Sequence, residues 1–153
     1  MNNEPTRGHG PLFERHQEPA QPQTPSVSFW ADAEIISMYT RAQALADGFL
    51  VDCGRLAKEA GFTFPVATTR TVWDGYIDPG AMGLGQSIDG RLWDTLQQLR
   101  RAIKAARPGV DIIRFKTIYV MAAGQSRLVD LKAVCGPGDK GEPVITVMLP
   151  EED

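Results

Sequence analysis

The sequence predicts an α+β fold in which several short helices and one long helix pack on a C-terminal three-stranded antiparallel meander. Three observations predict it. Before about position 110, apolar residues recur at spacings of three and four and are interrupted by glycine and proline. Beyond it, apolar and polar residues alternate in runs joined by short glycine-containing turns. The length of 153 residues, with 42% hydrophobic and 23% charged side chains, suits one domain built on one core.

Residues 1–28 stand apart, being rich in Pro, Gln and Glu, with Pro19, Pro22 and Pro25 spaced by three. They read as a disordered tether of polyproline II character, whose apolar exception is Leu12 and Phe13. The domain is therefore placed at 29–153. "EIISMYT" has the content of a short strand or extended entry. Thr40 then N-caps a first short helix, "RAQALADG", which Gly48 closes. "FLVD" is a brief extended piece, and "CGRLAKEAG" is a second short helix ended by Gly61.

"FTFPV" is extended, and its proline argues against a central strand. "ATTRTVWDGYI" follows as a third helix with threonine caps and helical spacing of Val72, Trp73 and Tyr76, stopped by Asp78, Pro79 and Gly80. The glycine-rich stretch 80–90 is a connection: it has neither the Gly-Lys-Ser/Thr close of a phosphate loop nor the context of a dinucleotide fingerprint. In the long helix, "DGRLWDTLQQLRRAIKAARPG", Leu92, Leu96, Leu99, Ile103 and Ala106 form the apolar stripe, and Pro108 and Gly109 end it. "DIIRFKTIYVM", "SRLVDLKAVC" and "PVITVML" supply the three strands of the meander.

The formal net charge of −3 argues against wholesale nucleic-acid binding, although a local basic face is compatible with it. No apolar run approaches the roughly 20 residues that span a bilayer, so no membrane role is expected. Two cysteines, Cys53 and Cys135, make no disulfide framework, and the start of the chain lacks the pattern of a secretory signal; the cytoplasm is the expected compartment.

The chemistry is bounded mainly by histidine. The only two, His9 and His16, lie in the tail, which removes the base of a Ser-His-Asp triad and the ligands of a histidine zinc site from the domain. No metal and no cofactor are expected. Cys53, at a helix start beside Arg55, has the position in which a thiol can be activated, but without a histidine base a buried structural thiol is the plainer reading. Asp52, Glu59, Asp74, Asp78, Asp89 and Asp94 are candidates for acid–base work, set against the ordinary role of carboxylates at caps and helix faces.

Two groups suit a binding surface. Arg70, Trp73 and Tyr76 are of the residue types that dominate interface hot spots, whereas a packed Trp73 with Arg70 paired to Asp74 is the structural alternative. On the long helix Arg91, Arg100, Arg101, Lys104 and Arg107 form a basic face opposite the leucines, and such faces are often simply solvated.

The blocks "ISMYTRAQALADGFLVD", "AGFTFPVATTRTVWD" and "LKAVCGPGDKGEPVITVMLPEED" occur in that order over residues 37–153. The chain thereby resembles a family of small "plasmid-related" proteins of unknown function carried on plasmids and integrative conjugative elements of proteobacteria. The resemblance implies no reaction and no catalytic residue. It implies genomic company among accessory genes of mobile elements, many of which manage host defence or plasmid maintenance.

The expected function is thus that of a mobile-element accessory protein binding a protein or nucleoprotein partner, such as an inhibitor of CRISPR interference. Two rivals stand beside it. One is a small enzyme using Asp52, Cys53 and Asp74 near Trp73, and the other is an accessory nucleic-acid binder using the basic face of the 90–107 helix.

Overall fold

The computed structural model describes residues 39–80 and 85–153. The alternation beyond position 110 becomes a long hairpin, β3 (Ile112–Ala122) and β4 (Gln125–Pro137), turning at Gly124 with φ of 72°. Strand β5 (Pro143–Met148) pairs antiparallel with β4. Phe115, Thr117 and Tyr119 of β3 face inward together with their β4 partners Leu131 and Val129. Ile118 and Leu128, paired on the opposite face, are exposed.

The sheet does not stop at a three-stranded antiparallel meander. It is five-stranded and mixed, in the order β1-β2-β5-β4-β3. Strand β1 (Leu50–Asp52) pairs antiparallel with β2 (Val66–Thr69), and β2 runs parallel to β5. The architecture is therefore α+β, with the first half of the chain contributing strands as well as helices.

The segment "VATT", of which "ATT" is read above as the start of a helix, is strand β2, with Val66, Ala67 and Thr68 all buried. Pro65 does not exclude an interior strand, because it precedes the first paired residue and contributes only its carbonyl, which accepts from the Ile145 N–H at 2.9 Å.

The short helices carry their own caps. Helix α1 (Arg41–Ala46) begins at Thr40 with a capping box completed by Gln43. Asp139, from the β4–β5 turn, accepts from the backbone N–H groups of Arg41 and Ala42 at 2.7 and 2.9 Å. The Arg41 guanidinium donates to Thr146 Oγ1 and the Ile145 carbonyl, which fastens α1 to β5. Helix α2 (Gly54–Glu59) is followed by Gly61 at φ of 93°.

Helix α3 (Arg70–Val72), capped by Thr69, widens at once into a π-helical turn, Trp73–Ile77, closed by a 2.7 Å bond from the Asp78 N–H to the Trp73 carbonyl. Helix α4 (Ile88–Ala105) starts at Ser87, whose hydroxyl accepts from the Gly90 N–H at 3.0 Å. It ends before Arg107, so the basic segment 90–107 is not helical to its end; Ala106 is already extended, and Pro108 disfavours helix at the residue before it.

Leu92, Leu96 and Leu99 of α4 meet Phe115, Leu131 and Val147 of the sheet, with Ala57, Val72 and Ile77 completing the core. Ile103, placed on the same stripe by spacing, is 36% exposed.

The boundary expected at 28/29, the tail, the "EIISM" entry and both histidines lie outside the described residues. Among the described residues no helix is long and apolar enough to cross a membrane.

Candidate binding surface around the end of helix α4

Arg91, assigned by spacing to the basic face, is 4% exposed. Its guanidinium donates to the Tyr76 carbonyl at 2.8 Å and to the Val120 carbonyl. The π turn explains the first partner: widening at Trp73–Ile77 presents the Tyr76 carbonyl to a side chain from α4. Arg91 is thus a clamp between the π turn, α4 and β3. One turn on, buried Thr95 meets the Tyr119 hydroxyl at 2.7 Å.

The trio Arg70, Trp73 and Tyr76 is drawn into internal contacts. Arg70 Nε donates to the Gly48 carbonyl at 2.7 Å and its guanidinium lies 3.4 Å from Asp74, the i+4 pair anticipated from the sequence. Trp73 is half-buried against the core. Tyr76 stacks on Tyr119 with ring centroids 5.4 Å apart, and Arg127 lies 5.8 Å from the Tyr76 centroid.

Cys53 is buried, and its thiol pKa is pushed up to about 12, first by burial and then by the charge of Asp52. This is opposite to the activation that a helix start and nearby arginine suggest, because removing a thiolate from water outweighs both. Asp52 faces Ala67 across the β1–β2 pair, whereas Asp74 follows the end of β2, where Thr69 faces Leu50. The two carboxylates thus leave opposite ends of that pair. Glu59 and Asp89 both pair with Arg55, at 2.7 and 3.3 Å. Among the described residues there is no group of three or more His, Cys, Asp or Glu side chains arranged to hold a metal.

A different arrangement forms at the far end of α4. The 61–64 segment and the last turns of the helix bound a groove of about 420 Å³. Phe62, Phe64, Ile103, Val110, Ile113 and Cys135 give it an apolar lining, and Arg100 and Lys104, one turn apart, line it too. Phe64, Ile103 and Val110 are each more than a third exposed. No carboxylate of the described residues comes within 4.0 Å of Arg100, Arg101, Lys104 or Arg107.

Arg107, past the helix end, borders a neighbouring groove with Val110, Ile112 and Arg114. The expected basic face is therefore divided: Arg91 is buried, Arg100 and Lys104 share an apolar groove, and Arg107 belongs to the loop before β3. Sequence reasoning missed Phe62 and Phe64, read only as an extended piece. Their signal was two aromatics two residues apart between Gly61 and Pro65, a stretch too short and too punctuated to bury both.

The family model described as "Family of unknown function (DUF6573)" matches residues 27–153. The chain belongs to the DUF6573 family. The match takes in β1 to β5 and every helix described above, so the groove of this DUF6573 member lies wholly within the family's extent. Comparisons with curated proteins and with solved structures find no match.

Proposed function

We propose that this DUF6573 member is an accessory protein of mobile elements that acts in the cytoplasm by binding a protein or nucleoprotein partner, such as a component of a CRISPR interference system that it inhibits. The mobile-element setting rests on the resemblance to the "plasmid-related" proteins. The binding role rests on one observation: Arg100 and Lys104, without a carboxylate partner among the described residues, flank a groove whose rim residues Phe64, Ile103 and Val110 stand in water.

Interfaces combine an apolar centre with charged groups that steer and align the partner, and arginine is among the side chains enriched there. The enzyme reading has less support, because Cys53 is held as a thiol and Asp52 lies at one end of the β1–β2 pair while Asp74 follows the other.

The test is tagged capture from a proteobacterial lysate, comparing the natural chain with the Arg100→Glu/Lys104→Glu double variant. A defined protein or nucleoprotein retained by the first and lost by the second, with melting unchanged, is the expected outcome. Equal recovery by both would remove the groove from the function. Nuclease-sensitive recovery that falls steeply with salt, and that depends on Arg101 and Arg107 as well, would favour the accessory nucleic-acid binder.

A further inference from the structure

We propose that the groove beside α4 takes an acidic polypeptide segment carrying an aromatic or branched apolar side chain, supplied by the partner protein. The inference rests on the partner-binding reading above and names the chemistry of what binds.

The groove volume of about 420 Å³ falls in the range of roughly 300–1,000 Å³ typical of ligand sites, and here it gives room for a large side chain and its neighbours. Phe62 and Ile103 both line it, with Ile113 and Cys135 contributed by the sheet. Such a lining favours an apolar group and offers a phosphate backbone nothing but its two cations.

Those cations are placed for carboxylates. Gly61 sits at φ of 93°, a conformation that favours glycine, and a Cβ there would come within 3.3 Å of Arg100 Cζ. The bare glycine backbone therefore leaves the guanidinium its place beside Gly61 in the groove lining. Arg100 forms no ion pair with a described carboxylate, so its planar fork is available to a carboxylate from outside. Lys104 adds a second positive charge one turn along.

The two cations favour polypeptide over a small amphiphile. A single alkyl carboxylate brings one anionic group to Arg100 and Lys104, whereas a peptide segment can bring a carboxylate to each together with an apolar anchor for the lining.

The test uses the full chain, immobilised and panned against random short peptides displayed on phage. Enriched sequences are expected to place acidic residues beside an aromatic or branched apolar one. A synthetic peptide of the winning sequence should bind about tenfold more weakly to Arg100→Glu/Lys104→Glu and to Ile103→Asp, each checked for unchanged melting. Laurate and a single-stranded oligonucleotide serve as competitors, and neither should displace the peptide.

Enrichment without acidic residues, binding that survives both variants, displacement by laurate or oligonucleotide, or no enrichment at all would each overturn the proposal. Lysate capture separates this failure from that of the broader reading. A partner still captured by both groove variants keeps the binding function and removes this site. No partner captured by any form removes both.

Discussion

At the scale of single residues, Arg91 makes the sharpest claim. A charge buried to 4% exposure with only carbonyl acceptors stands where an exposed helix cation was expected. Its position was partly legible: Arg91 and Thr95 are four apart and flank Leu92 and Leu96, so they share the buried stripe. A pattern that admits only apolar residues to the core could not include them, because the carbonyls that make burial tolerable come from a π turn and from β3, both distant in sequence. Arg91→Ala should cost about 3 kcal/mol in urea unfolding, since two carbonyls lose charged donors and a void opens. A change within about 0.5 kcal/mol, as for an ordinary surface cation, would contradict the clamp.

Cys53 makes a claim about pH at the same scale. Its folded pKa is raised from 9.0 to about 12, so the unfolded chain loses the proton first. Below pH 9 both states hold it and the contribution to stability is complete. Between pH 9 and about 12 only the folded state does, and stability falls as pH rises. The stability difference between the natural chain and Cys53→Ala should shrink across that window, and a flat difference would refute the buried thiol. At neutral pH iodoacetamide should label half-buried Cys135 well before Cys53.

Elements tell a similar story at the junction of β2 and α3. Thr69 ends the strand, caps the helix by accepting from the Val72 N–H, and donates to Glu152 Oε2 at 2.9 Å. Glu152 also accepts from the Leu149 N–H at 2.8 Å, so one hydroxyl ties a strand end, a helix start and the last turn of the chain. Thr69→Ala should lower stability by about 1–2 kcal/mol, while Thr69→Ser, which keeps the hydroxyl, should lose much less. Equal losses would shift the cause to the methyl group.

The capping role of these threonines was legible, but the strand that carries them was not. Val66, Ala67 and Thr68 are buried on both faces of the sheet, so no polar–apolar alternation marks them, and four residues are too few to show a period. Helices α1 and α2 were legible because Thr40, Gly48 and Gly61 punctuate them. The groove was half legible: Arg100 and Lys104 stood out as a basic pair, but which loop would lie beside them depends on contacts distant in sequence.

For the whole molecule, the order of strands decides what each end of the chain is worth. Strand β5 sits between β2 and β4, and the tail after it carries Glu152, whose carbonyl accepts from Lys132. A chain ending at Glu142 should therefore lose cooperative melting and its sheet signal in circular dichroism. Retention of a sharp transition would mean that the β3–β4 hairpin and α4 form a self-sufficient core.

The central place of β5 also bears on how the protein is made. Synthesis delivers the β1–β2 pair first, then α4 and the β3–β4 hairpin, and the strand that joins them last. Until it emerges from the ribosome, β2 and β4 each present an unpaired edge of the kind that recruits chaperones or exchanges with a neighbouring nascent copy. Completion of this sheet thus waits for the strand made after the other four, which fills the slot between β2 and β4.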